Sequence, residues 1–280
     1  MTKICVTGAS GRAGRVTVRE LLAHDYEVVA TDLRAPAEDI GAPVLRADLT
    51  DYGQAVEVLA GVDVVVHLAN IPAPDIHTPV TTFTANTAMN YNVFTAATRL
   101  GLRRVVWASS ETTLGLPFDT PPRYAPIDEG HYPHPTTSYA LSKVTAETLA
   151  EHFAAWSGIP FLALRFSNIL GPVDYTRFPE YWTDATARKW NLWGYIDERD
   201  AATACRLAAE SDVTASSSYI IAAADTVMNR PSAELLREVY PDTPLIRDIG
   251  DYETLLSIDA AKRVLGFTPE FSWRHHIQPD

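Results

Sequence analysis

Cysteine is scarce in this chain, with two in 280 residues, and that excludes a disulfide framework as its staple. Cys5 falls in a predicted buried strand and Cys205 in a predicted helix. Neither belongs to a C-x-x-C spacing and no H-E-x-x-H occurs, so no metal site is expected. No apolar run approaches the length that spans a bilayer, which predicts no membrane partner. Basic residues are outnumbered, 23 against 35 acidic ones, for a formal charge of -12. Without a basic stripe to release counterions, nucleic acid is not an expected partner. Internal repeats and low-complexity tracts are also missing. The first strand starts at Lys3, leaving no room ahead of it for a signal peptide, and the expected location is cytoplasmic.

What is present is an ordinary globular composition, 46% hydrophobic and 21% charged, which excludes disorder. The length fits one sizeable α/β domain or one domain with a small lobe. The stretch that organises the rest is the first fourteen residues. Lys3 to Thr7 is a short β-branched run, and Gly8-Ala9-Ser10-Gly11-Arg12-Ala13-Gly14 breaks it before a helical pattern over Arg12 to His24. Strand, glycine-rich turn and helix point free backbone N–H groups and the positive end of a helix dipole at one spot, where a pyrophosphate can approach. The next apolar run, Tyr26 to Thr31, ends at Asp32, placed to accept from a ribose 2′-OH. A dinucleotide is therefore expected here. Arg34, two residues on, reads as a surface charge.

Further strands are predicted around Val44 to Ala47, Asp63 to Leu68, Arg104 to Ala108 running into Ser109-Ser110-Glu111, Phe161 to Phe166 and Tyr219 to Ala222. Helices near Tyr52 to Ala60, Val80 to Leu100, Thr137 to Ser157 and Asp200 to Glu210 alternate with them, which implies a parallel, doubly wound sheet. Thr136-Thr137-Ser138 offers N-caps, and Gly158 and Pro160 end the helix on which Tyr139 and Lys143, four apart, share a face. The proline-rich stretch from Gly115 to Thr136 reads as an ordered surface segment over the sheet's carboxyl edge. From Gly171 to Tyr195 the aromatics Tyr175, Phe178, Tyr181, Trp182, Trp190, Trp193 and Tyr195 stand far above the chain's 10% average. Helices near Ser232 to Tyr240 and Asp259 to Leu265 complete a small C-terminal lobe. His67 reads as a packed strand residue with one satisfied nitrogen, His131 and His134 as solvated or turn residues, and His275-His276 as a polar tail.

Taken together, Thr7 to Gly14, Asp32, Asp48-Leu49, His67-Leu68-Ala69, Ser109-Ser110, Tyr139-x-x-x-Lys143, Arg165-Phe166-Ser167-Asn168 and Tyr195 to Asp200 resemble the extended short-chain dehydrogenase/reductase family of NAD-dependent epimerases and dehydratases. The layout is nearest to uronate dehydrogenase-like members. The resemblance implies a Rossmann-type α/β fold with NAD as cofactor. Its NAD-binding domain would span 1–170, completed by about 195–222, with a substrate lobe over 171–194 and 223–280. It also implies a catalytic trio of Ser110, Tyr139 and Lys143. Cofactor contacts are implied at Gly8, Ser10, Gly11, Arg12, Ala13, Gly14, Asp32, Leu33, Asp48, Leu49, Leu68, Ala69, Asn70, Tyr139, Lys143 and Phe166. Substrate contacts fall to Glu111, Asn168 and Arg177. The long helices over 80–100 and 137–157 would pair with their copies in a homodimer.

The chemistry of the trio follows from its parts. A phenol near pKa 10 is a poor base at neutral pH, but a neighbouring ammonium and a cationic nicotinamide stabilise the phenolate, which then takes a hydroxyl proton as hydride departs. Only 23 residues separate Gly171 from Tyr195, little room for a nucleotide, so the expected substrate is a small sugar or sugar acid. A nucleotide-sugar 4-epimerase or dehydratase is the alternative, and a non-catalytic dinucleotide sensor the alternative of another class. Arg177 has two readings: a fork for a substrate carboxylate, or a surface partner of Asp174 or Glu180. Glu111 weighs against an anionic substrate.

Overall fold

Residues 1–118, 120–131 and 133–277 are described in the computed structural model. Strands β1 (Lys3–Thr7), β2 (Glu27–Asp32), β3 (Val44–Arg46), β4 (Val64–His67), β5 (Arg104–Ser110), β6 (Phe161–Phe166) and, late in the chain, β9 (Ser217–Ile221) form one sheet in the order β3-β2-β1-β4-β5-β6-β9. Every pairing is parallel. Strand order reverses between β1 and β4, so a crevice opens beyond their carboxyl ends, where open α/β sheets bind ligands. The helices α1 (Arg12–Ala23), α2 (Tyr52–Leu59), α3 (Pro79–Leu100), α4 (Ser138–Ser157) and α6 (Glu198–Glu210) cover the faces, α1 packing with α6 and α2 to α4 with one another. The fold is the expected Rossmann-type α/β arrangement.

Local signals account for the long helices. Pro79 opens α3, where its missing N–H has no intrahelical partner to lose, and Gly101, at φ 69°, ends it. Thr137 caps α4 by accepting from Ala140 N at 3.1 Å, and Gly158 ends it at φ 73°. Between β6 and β9 lie pieces that the sequence did not announce: β7 (Ile169–Leu170) pairs in parallel with β8 (Ile196–Asp197), and α5 (Pro172–Tyr175) is a single turn. Two-residue strands carry too little periodicity to be read in advance. The helices α7 (Ser232–Val239) and α8 (Asp259–Leu265) follow β9.

Apolar side chains gather in three clusters, one on each face of the sheet and a third beyond its carboxyl edge. The third takes in Tyr175, Phe178, Trp193, Tyr195 and Trp273, all at most 1% exposed. The proline-rich segment belongs to it, contrary to a surface role: Leu116, Phe118, Ala125 and Ile127 are buried, and Ala125 and Ile127 bridge to Leu245 and Leu256. His131 is likewise buried, against the Tyr124 ring. His276 packs on Tyr175. Among the described residues no helix is long and apolar enough to cross a membrane.

Candidate active site

Glycine brings three elements together at the crevice. Gly8 ends β1 at φ 69°, and a Cβ there would sit 2.6 Å from Ala69 N at the end of β4. A Cβ on Gly14 would come within 2.0 Å of Gly8 O, so α1 packs this closely on the turn only because position 14 has no side chain. α1 starts at Gly11 without a side-chain cap, which leaves first-turn N–H groups for an anion. Ser10 N and Arg34 N donate to the two Asp32 oxygens at 3.0 Å each, and the Ser10 hydroxyl donates to Arg34 O at 2.8 Å. The carboxylate is thereby fixed at the end of β2 with lone pairs to spare. Asn70 carries a buried Oδ1 with no partner among the described residues. These features fit a dinucleotide with a free ribose 2′-OH.

Other predicted contacts fall around the same edge in less direct roles. Asp48 accepts from Thr50 N and Oγ1 at 2.9 and 2.7 Å, ordering the turn into α2. Leu49 and Phe166 are core residues, while Leu33 is 56% exposed. Arg12 pairs with Asp174, tying the glycine turn to α5. Both nitrogens of His67 are occupied: Nδ1 accepts from the Thr7 hydroxyl at 2.7 Å, and Nε2 donates to Asn90 Oδ1 at 3.0 Å. Thr7 Oγ1 in turn accepts from Ala69 N. Burial, with the Lys143 charge adding to it, holds this imidazole down to about 3, so it is a neutral brace between β1 and β4.

The proton-transfer group assembles from β5 and α4. Ser110 Oγ accepts from Thr112 N at 3.1 Å and Thr112 Oγ1 at 3.0 Å, which leaves its own hydrogen to be donated. Burial pushes the Tyr139 phenol up to about 12, the Ser110 hydroxyl pulls it down, and the Glu111 charge adds to the rise. Lys143 Nζ lies 5.5 Å from the Tyr139 ring centre and donates to Ala108 O at 2.7 Å. Burial draws this ammonium down to about 7, opposed by Glu147 one turn further along α4. Glu147 is itself clamped, accepting from Ser109 Oγ at 2.6 Å and from Arg165 Nε and Nη2 at 2.9 and 2.8 Å. Lys143 is thus aimed at a backbone carbonyl, with its charge over the Tyr139 ring.

A second polar cluster faces this group from the far side. Glu111, 3% exposed, accepts from Ser167 Oγ at 2.6 Å and from Asn191 Nδ2 at 3.3 Å. Burial lifts its carboxyl to about 7, partly offset by those donors and by Arg188. Arg188 is also buried; it reaches Asn168 Oδ1 at 3.3 and 3.4 Å and lies over the rings of Trp190 and Tyr181. Leu192 and Trp193, at φ 52° and 59°, form the turn that aims Asn191 and Arg188 inward. Two bulky residues in the left-handed region cost of order 1–3 kcal/mol each and persist only where the surroundings hold them. Here Trp193 N donates to Arg188 O and Trp193 Nε1 to Ala185 O.

Arg177 stands apart from this cluster. Its side chain is 65% exposed and 4.0 Å from Glu180, the surface pairing, while Asp174 is taken by Arg12. The aromatics around it pack the lobe. Sequence reasoning brought Ser110, Glu111, Tyr139, Lys143 and Asn168 to one place and missed Thr112, Arg188 and Asn191. The only signal for the last two was their place in the aromatic-rich stretch.

Residues 4–222 match the model of the NAD dependent epimerase/dehydratase family. L-arabinose 1-dehydrogenase (NAD(P)(+)) of Haloferax volcanii is 34% identical over a stretch covering 61% of this chain and 68% of that protein. A UDP-glucose 4-epimerase of Corynebacterium glutamicum is 27% identical over 96% of this chain and 91% of its own. With a UDP-glucose 4-epimerase of Lacticaseibacillus casei, 30% identical, the match spans about half the relative, 52% of its length. Uronate dehydrogenase of Pseudomonas putida is 26% identical over 59% of this chain and 60% of that one. Among solved structures, a short-chain dehydrogenase/reductase superfamily protein of Agrobacterium tumefaciens with bound NAD superposes at a TM-score of 0.75, with 21% identity, over 97% of this chain and 93% of that one. The cofactor is NAD, and the chain belongs to the NAD dependent epimerase/dehydratase family of enzymes.

Proposed function

We propose that this enzyme is a dehydrogenase that oxidises a hydroxyl of a small sugar or sugar acid, passing hydride to NAD with Tyr139 as base. The juxtaposition of Ser110, Tyr139 and Lys143 beside a glycine turn and a backbone-anchored Asp32 supports hydride transfer to NAD, and the observation that favours a small sugar over a nucleotide sugar is the short stretch of 23 residues between Gly171 and Tyr195. Bound oxidised nicotinamide supplies the hydride acceptor and a positive charge. The chain's own residues do the rest. Ser110 donates to the substrate oxygen and orients it, and Tyr139 Oη takes the hydroxyl proton. Lys143 and the cationic site favour the phenolate against the burial that opposes it. The same domain division is proposed as from sequence: 1–170 with about 195–222 for NAD, and 171–194 with 223–280 for substrate.

A nucleotide-sugar 4-epimerase is the second reading, favoured by the near full-length match to the Corynebacterium glutamicum enzyme. Absorbance at 340 nm on adding sugars separates the two. Net NADH marks the dehydrogenase, and product without net NADH marks the epimerase. Tyr91 on α3 and Leu141 and Trp156 on α4, from 47% to 72% exposed, lie on the helices proposed to pair in a homodimer. A monomeric mass by light scattering at micromolar concentration contradicts that pairing.

A further inference from the structure

We propose that Glu111, Ser167, Asn168, Arg188 and Asn191 form a sugar subsite that accepts neutral hydroxyls and turns away carboxylates. The proposal rests on the dehydrogenase reading and narrows it from sugar or sugar acid to a neutral sugar. Arg188 is the buried cation of this cluster, yet its fork is already spent. Nη1 and Nη2 hold Asn168 Oδ1, and Nη2 also holds Gly194 O at 3.2 Å. A substrate carboxylate needs two parallel donors, and the paired Nη1 and Nη2 hydrogens of Arg188 are already engaged; what remains is Nε–H, without a partner among the described residues, and the second hydrogen of Nη1, which points away from it. Asn191 shows the opposite surplus: Nδ2 is engaged by Gly194 O at 2.8 Å and by Glu111, while Oδ1 is buried and has no partner among the described residues.

Spare donors on Arg188 and a spare acceptor on Asn191, both buried in the same cluster, match groups that both donate and accept. A sugar hydroxyl does both; a carboxylate only accepts. The Glu111 carboxylate in the same cluster adds a like charge that an anionic substrate would face, whereas a hydroxyl can donate to it. The charged and titratable groups facing Glu111 are Arg188 and Tyr139.

The test compares D-galactose with D-galacturonate, which differ only at C6, at pH 8, where Glu111 is mostly ionised. Wild type should favour the neutral sugar by about tenfold or more in kcat/KM. Glu111→Gln, nearly isosteric, should narrow that ratio by about tenfold, with NADH binding by fluorescence unchanged. Arg188→Leu should raise KM for galactose by about tenfold with a smaller effect on kcat, the mark of lost ground-state binding. Should Arg188→Leu not fold, the Glu111→Gln ratio decides. A wild-type preference for galacturonate, or a ratio unmoved by Glu111→Gln, overturns the proposal. If wild type forms no NADH from either sugar, the dehydrogenase reading fails. The subsite is then judged by thermal shift of the NADH complex, in which stabilisation by galactose but not galacturonate supports it and stabilisation by neither overturns it.

Discussion

The carboxyl edge of the sheet and the cluster that joins it to the lobe beyond are held together in different ways. At the edge, the contacts that shape the turns are made largely by backbone groups: Gly8 against Ala69, Ser10 and Arg34 N–H on Asp32, Thr112 N–H on Ser110. Between the edge and the lobe they are made by side chains that the fold brings from afar, such as Glu111 with Asn191 and Tyr240 with the Phe118 carbonyl. On the proposed reading, cofactor recognition rests on local geometry that many sequences can carry, and substrate recognition on a few side chains set by packing.

Substitutions at the two regions should separate these modes. The largest effect is expected behind the edge, at Glu147→Gln, which leaves the Arg165 guanidinium buried with half its partner lost. Breaking such a pair costs about 3–5 kcal/mol, read as a lower midpoint in urea denaturation; an unchanged midpoint would show that Arg165 finds another acceptor. Tyr139→Phe should cut turnover by about 10²-fold or more while leaving NAD affinity intact. Turnover near wild type would remove Tyr139 from the mechanism. Asp32→Ser should narrow a preference for NAD over NADP of at least about tenfold, roughly 1.4 kcal/mol, because the carboxylate no longer faces a 2′-phosphate. Equal affinities in the wild type would contradict this.

Two smaller effects concern the cluster beside the lobe and the lobe itself. The Glu111 carboxyl is raised to about 7 on folding from an ordinary value of 4.5, so between those pH values the folded state holds a proton that the unfolded state has lost. Its contribution to stability is full below pH 4.5 and disappears as pH rises through 7, with a slope of up to about 1.4 kcal/mol per pH unit. Glu111→Gln should flatten the decline of urea-unfolding stability over that window, and a wild-type slope retained in the variant would refute the assignment. Arg177→Ala, at a 65% exposed side chain, should leave the ratio of acidic to neutral sugar turnover unchanged. A change of tenfold would return the carboxylate clamp to that residue.

The difference between the regions also explains what could be read from the chain. Gly8, Gly14 and Asp32 were legible because a strand end, a turn and a helix start fix their roles within a few residues. Tyr139 and Lys143 were legible because four residues on a helix put both on one face. Arg188 was not, since its burial depends on Trp190, Tyr181 and the left-handed turn at Leu192 and Trp193, and nothing in its neighbours' spacing distinguishes it from exposed Arg177. The proline-rich stretch misled for a similar reason. Its composition matches a surface loop, yet Ala125 and Ile127 bridge to strand-like partners more than a hundred residues away.

The most direct test of the central claim is absorbance at 340 nm for wild type and Tyr139→Phe with NAD and D-galactose or L-arabinose. Net NADH formation by the wild type, reduced at least about 10²-fold in the variant, is the expected result. Sugar product formed without net NADH, or NADH formed equally by both proteins, would contradict it.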